Sequence, residues 1–351
     1  MKTVSLKTPQ RLVLLVALLA VAGGWAFVNR DDPGVGMTAA AEKFVASLSN
    51  EQRAVAVMDY DSPKRVGWHF IPMAERKGLQ VKHMTEEQRK AAHALLRSAL
   101  SQIGYDKSTT IMTLESVLHE LEKSKGGGAI RDAQRYYFTV FGKPAADGKW
   151  GLSVEGHHLS LNFVVDKNEL VGTTPQFLGA NPATIQGSYP VGPKKGSRLL
   201  ADEEVLGFTL ANSLSKEQLA TALIDKKAPA DLRGAGTPQP PTEKPVGVAA
   251  KDLTADQQQT LRKLIDVYAK TMPAAVAEAR LAASEKAGFD NIQFAWAGAM
   301  EPGIGHYYRI EGPTFQIEFC NTQPDSAGNP ANHIHSMWRD TAGDFAIPVK
   351  E

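Results

Sequence analysis

Asn332-His333-Ile334-His335 places two histidines two residues apart. In extended chain that spacing sends both imidazoles to the same side, at a separation one metal ion can bridge. Five of the nine histidines, His157, His158, His306, His333 and His335, fall where the sequence alternates as strands do. The reading is therefore one divalent transition metal held by His333 and His335, with His157, His158 or His306 as third ligand and Glu318 as ligand or general base. Three protein ligands with an open position for water are the catalytic zinc pattern, whereas mixed imidazole and carboxylate ligation also suits iron, copper or manganese. The competing reading is that His333 and His335 hydrogen-bond to backbone in a polar loop. Tyr307-Tyr308-Arg309 and Trp338-Arg339-Asp340 flank the motif. An arginine beside aromatics can clamp a carboxylate or phosphate in bidentate fashion, which makes Arg309, Arg339, Tyr307 and Trp338 the substrate-binding set. A structural arginine–aspartate pair is the alternative.

Other chemistry is scarcer. There is no G-x-S-x-G elbow, phosphate-binding Gly-Lys-Ser/Thr loop or dinucleotide fingerprint, and His119-Glu120 lacks the second histidine of a zinc-protease helix. The single cysteine, Cys320, excludes an internal disulfide and a four-cysteine metal site, and reads as an inert strand filler. Arg131-Asp132 and Arg135-Tyr136-Tyr137 read as structural, Gly179-Ala180-Asn181-Pro182 as turn chemistry, and Trp68-His69-Phe70-Ile71-Pro72 with Arg76-Lys77-Gly78-Leu79 either as a wall added to a pocket or, for Trp68, as a core plug.

The elements that must position these residues begin with four repeated helix starts: Leu48-Ser49-Asn50-Glu51-Gln52, Met84-Thr85-Glu86-Glu87-Gln88, Leu214-Ser215-Lys216-Glu217-Gln218 and Leu253-Thr254-Ala255-Asp256-Gln257. Each has Ser or Thr at the cap with Gln three residues on, the capping-box signature. Leu95, Leu96, Leu100 and Ile103 continue the second as one helix, Leu261, Leu264, Ile265 and Tyr268 continue the fourth, and two further helices are expected over 109–123 and 274–287. After each helical group the pattern alternates. Phe138-Thr139-Val140-Phe141-Gly142 aligns with Phe294-Ala295-Trp296-Ala297-Gly298, and the same offset sets Leu161 over Ile317 and Phe163 over Phe319. This predicts an α+β fold of two pseudo-repeated units, 48–170 and 214–340, each a helical group followed by an antiparallel three-strand meander. Leu159, Leu161 and Phe163, like Phe315, Ile317 and Phe319, form core faces. The opposite faces, with His158, Ser160 and Asn162 or Gln316, Glu318 and Cys320, read as solvated, or else as lining a cleft. Residues 173–198 form a long Gly- and Pro-rich loop placed to cover a site or the sheet, and 228–246 a flexible or extended Pro-rich linker.

With 351 residues, 39 Lys+Arg against 38 Asp+Glu and 43% hydrophobic residues, the chain is globular and lacks the basic excess that nucleic acid would require. Lys2, Lys7 and Arg11 precede an apolar run over 12–28, the layout of an export signal, so 1–30 is expected to be a cleaved signal peptide or a retained anchor. The body is then mildly acidic, periplasmic or extracellular, and touches membrane only through that segment. A metal-dependent hydrolase of a small polar or anionic substrate is the first functional expectation. A non-catalytic envelope protein binding a ligand or metal, and an interaction scaffold without a small-molecule site, are the others.

Trp68-His69-Phe70 with Arg76-Lys77-Gly78-Leu79, Tyr137–Gly142, Gly156-His157-His158-Leu159-Ser160-Leu161-Asn162, Phe177–Pro182 and Asn332–Asp340 occur in an order that resembles the domain of unknown function 3500 family. The resemblance runs over about residues 40–346 as a single domain, and it implies no activity. One departure stands out: where the family pattern carries an aspartate, this chain has Cys320.

Overall fold

The structure is a computed structural model that describes residues 32–350. The expected leader therefore lies outside the described residues. Within them the chain forms eight α-helices: α1 (Pro33–Ala46), α2 (Asn50–Ala56), α3 (Glu86–Ala99), α4 (Gln102–Glu122), α5 (Ala201–Ser213), α6 (Lys216–Ala222), α7 (Ala255–Ala269) and α8 (Ala274–Gly288). None is long and apolar enough to cross a membrane. Four begin at the expected capping boxes, with Ser49, Thr85, Ser215 and Thr254 each accepting from the N–H of the glutamine three residues on, which reaches back to the cap N–H. Such a cap contributes about 1 kcal/mol. The glutamines also interlock. Gln52 Nε2 donates to Gln88 Oε1 (3.0 Å) and Gln88 Nε2 to Gln52 Oε1 (2.7 Å), while Gln218 and Gln257 exchange the same pair at 2.9 and 3.0 Å.

One helical expectation fails. Leu100 is extended and Ser101 caps a new helix, its hydroxyl accepting from the Gly104 N–H at 3.1 Å, so Ile103 belongs to α4 and is exposed. The apolar spacing runs on across the break, and a serine able to cap ends the helix anyway.

The thirteen strands are β1 (Val57–Met58), β2 (Leu79–Gln80), β3 (Tyr137–Phe141), β4 (Lys149–Gly156), β5 (Leu159–Asp166), β6 (Glu169–Gly172), β7 (Gln176–Ala180), β8 (Leu223–Asp225), β9 (Val248–Ala249), β10 (Gln293–Gly298), β11 (His306–Glu311), β12 (Phe315–Asn321) and β13 (Ile334–Asp340). They make one mixed sheet in the order β1-β3-β4-β5-β7-β13-β12-β11-β10-β8, with β2, β6 and β9 pairing at the sides. β7 and β13 meet antiparallel at its centre, Leu178 opposite Ser336. β7 lies inside the stretch expected to be loop. Its five residues between Pro175 and Pro182 are too few to show alternation, and all are buried because both faces are covered.

The helices pack on one face, where Leu159, Leu161, Phe163, Phe315, Ile317 and Phe319 join α3 and α7 leucines in a continuous core. Each such side chain contributes roughly 1.5–3 kcal/mol by leaving water. The opposite face is also buried, contrary to the solvated reading: Ser160, Asn162, Glu318 and Cys320 are each at most 3% exposed. No second layer of regular structure was legible to cover it. Trp68, Phe70, Leu232 and Phe345, all from irregular segments, pack there against Phe177, Tyr307 and Met337. Much of the cover is the Pro-rich stretch 228–246, which lies along the sheet as a strap. Trp68 Nε1 donates to Thr237 O at 2.7 Å, and Arg233 ion-pairs with Glu311 (2.7 Å) and Glu318 (2.9 Å) on β11 and β12.

Candidate metal centre

β4 hands over to β5 through His157 and His158, and His158 takes a left-handed backbone (φ +61). For a residue with a side chain that conformation costs on the order of 1 kcal/mol. It is held by two hydrogen bonds: His158 N–H donates to Phe70 O (2.9 Å), and Gly179 N–H to His158 O (2.8 Å). The ring then lies over Gly179 in β7, where a Cβ would come within 3.0 Å of His158 Cδ2, so only glycine leaves the imidazole its place. His335 is in β13, opposite Gly179 on one side and Cys320 on the other. His333 precedes the strand, its N–H donating to Asn321 Oδ1 at 3.0 Å.

These three rings converge on their Nε2 atoms. His158 Nε2 is 2.8 Å and His335 Nε2 3.1 Å from His333 Nε2, and one ligand atom from each lies within 4.8 Å of the others. Around a metal with Zn–N of 2.0–2.1 Å, tetrahedral ligands stand about 3.4 Å apart, so the spacing already approximates a shared coordination sphere. A neutral imidazole nitrogen carries either one proton or one lone pair in its ring plane. Three such atoms facing one another cannot all be satisfied among themselves, and a cation resolves that.

The outward nitrogens set the tautomers. Asp231 Oδ1 accepts from His335 Nδ1 at 2.7 Å, the carboxylate–histidine arrangement that leaves Nε2 free to ligate. Asn181 presents its amide to His333 Nδ1 at 3.3 Å, while its Oδ1 is buried without a partner. Exchanging the amide's O and N, which the hydrogen-bond network must decide, pairs that oxygen with Nδ1–H and again frees Nε2. Burial drives the pKa of His158 well below the usual imidazole value, with the neighbouring histidines adding to it. Burial also pushes His333 down to about 3, helped by His335 and His157. Both rings are neutral at pH 7, the form a metal needs. Phe70 meets His335 edge-on at 4.7 Å and stacks on Phe177 at 3.7 Å, closing one side with aromatic surface.

The other site expectations land elsewhere. His157 stacks on His158 at 3.7 Å, but its Nδ1 faces Glu115 and Arg131 Nη1 (3.0 Å), outside the triad. His306 points to the helical face, stacked parallel to Trp296 with Nε2 3.2 Å from Glu204 Oε1 in poor alignment for a hydrogen bond; alternation along β11 sends it to the wrong side. Glu318 is held by Arg233 and by Tyr307, whose hydroxyl donates at 2.7 Å, so neither joins the triad. Arg339 is fully buried on Asp344 (2.6 Å), Arg309 lies on Glu311 (3.1 Å), and Trp338 stacks on Phe315. The arginine–aspartate alternative thus describes Arg339, and no clamp forms. Cys320 contacts Thr322 Oγ1 (3.1 Å), and burial pushes its thiol up to about 12, so it stays protonated. Asp231 and Asn181 escaped sequence reading because each comes from a segment with an adequate local explanation, linker and turn.

A family model described as Protein of unknown function (DUF3500) matches residues 31–347. The chain belongs to this family. The DUF3500 match takes in all three histidines with Asp231 and Asn181. No curated protein and no solved structure matches the chain.

Proposed function

We propose that the protein binds one divalent transition metal through His158, His333 and His335 and uses it as a hydrolase on a small polar or anionic substrate. The observation that carries this is the convergence of three Nε2 atoms, with Asp231 fixing the tautomer of one ring. Three imidazoles leave a metal an open position, where bound water becomes a nucleophile near neutral pH. Glu318 is not the base in this reading, because Arg233 and Tyr307 occupy it. Asp231 bonds the far nitrogen of His335 and orients that ring. Metal analysis of protein purified from metal-replete culture tests the proposal: one ion per chain is expected, lost in the His333→Ala, His335→Ala double variant. Protein without stoichiometric metal in both forms sinks it.

A second reading, a metal-binding protein without catalysis, is favoured by the burial of His158 and His335, at 3% and 5% exposure. Turnover of a panel of phosphate, carboxylate and amide esters by the metal-loaded protein separates the two. We further propose export by residues 1–30, on the strength of the basic start and apolar run, and origin by duplication, on the strength of the matched glutamine pairs behind the four capping boxes. Fractionation with N-terminal sequencing checks the first.

A further inference from the structure

The segment between β1 and β2 forms one wall of an open cavity of about 520 Å³, with Trp68, His69, Arg76, Lys77, Glu155 and the strap's Gly236 among its lining. The cavity adjoins the triad through Phe70, the residue after His69, whose ring rests on His335. Its charged lining, which also includes Lys64 and the carboxylate Glu75, is unevenly matched. Lys77 is neutralised by Glu155 at 2.7 Å. Arg76 has no carboxylate within 4.0 Å among the described residues; its two terminal nitrogens donate to the carbonyls of His69 (2.6 Å) and Ile71. A guanidinium so placed is fixed in orientation and keeps its full charge, which burial alone makes costly. Arg135, bordering the same wall beside Arg76, also donates to a carbonyl, that of Ala74, and its buried Nε has no partner.

His69 adds a directed donor. Its Nδ1 accepts from the Phe70 N–H at 3.0 Å, which fixes the proton on Nε2. That edge of the ring faces Gly236, where φ is +77 and a Cβ would stand 3.3 Å from Nε2 and 3.0 Å from Cδ2. The strap passes close to that edge as glycine, and among the described residues Nε2 has no hydrogen-bond partner.

We propose that this cavity binds an anionic group, a carboxylate or a phosphate, on Arg76 with His69 Nε2–H as second donor. The planar guanidinium fork can pair with two oxygens of either group. The site stands on its own geometry, and it deepens the proposed function in one respect that rests on that reading: the anion anchored here would belong to the substrate presented to the triad. The arginines expected to do this, Arg309 and Arg339, are paired with Glu311 and Asp344.

Calorimetric titration with inorganic phosphate and, separately, with succinate tests the proposal and tells the two anion classes apart. Saturable binding near one per chain is expected for at least one probe. Arg76→Gln should weaken it at least tenfold. His69→Asn, which keeps an acceptor for the Phe70 N–H while deleting the Nε2 donor, should weaken it about three- to tenfold, and it decides the matter if Arg76→Gln does not fold. The His333→Ala, His335→Ala variant should bind the probe like wild type, so failure of the metal reading leaves this result readable. Binding of neither probe, binding indifferent to His69→Asn, or binding that vanishes with the two histidines overturns the site.

Discussion

The two ends of the central β7·β13 pair bury polar side chains by opposite means. At the end where β7 finishes and β13 begins, Asn181 and His333 flank the strands and three imidazoles face one another. At the other end Arg339 and Asp344, 1% and 0% exposed, close a 2.6 Å ion pair, and Arg280 donates to Gln176 and Thr173. The Arg339 pair supplies its own counter-charge and is complete within the chain. The imidazole end brings three ring nitrogens together with no acid between them, the arrangement a cation from outside would complete. Comparable chemistry kept from water thus marks the Arg339 end as structural and the imidazole end as the candidate binding site.

The largest expected effect breaks the structural end. Asp344→Asn strands the Arg339 charge and should cost about 3–5 kcal/mol in urea unfolding, whereas His333→Ala in metal-free protein should cost far less. If both cost the same, the contrast between the ends is wrong. Next, saturating zinc at a thousandfold over Kd should raise wild-type stability by about 4 kcal/mol, read as a shift in Tm, and should leave His335→Ala unmoved. Asp231→Asn should weaken metal affinity 10- to 100-fold without comparable loss of fold, the usual scale for a group that orients a ligand. Finally, pH sharpens the comparison. His333 has a folded pKa lowered to about 3 by burial, so the unfolded chain binds its proton first. Its contribution is complete above the unfolded value of about 6.5 and is lost as pH falls from there toward 3. Metal-free wild type should therefore lose more stability over that range than His333→Ala.

Legibility followed sequence distance. The four capping boxes were readable because a cap and its glutamine stand three residues apart, and His333 with His335 because strand geometry fixes a two-residue spacing. The core faces of β5 and β12 followed from alternation. What failed was whatever depends on a distant segment. Asp231 reaches His335 across 104 residues and Asn181 reaches His333 across 152; His158, 175 residues from His333, is among the expected third ligands, but only the fold separates it from His157 and His306. Arg309 and Arg339 have the right chemistry for a clamp, yet their pairing inside the fold depends on tertiary structure. The strap reads as a linker in sequence because prolines mark extended chain equally well when it is docked.

The stretch from β7 to β8, through α5 and α6, joins the two halves of the sheet in sequence while β7 and β13 join them in space. Separating the polypeptide between the halves would leave each piece with a central strand turned into a bare edge, ready to pair with any extended chain. It would also divide the triad, His158 going with one piece and His333 and His335 with the other. The candidate metal site is therefore a property of the seam, and either half alone is expected to seek the other before the three histidines can meet.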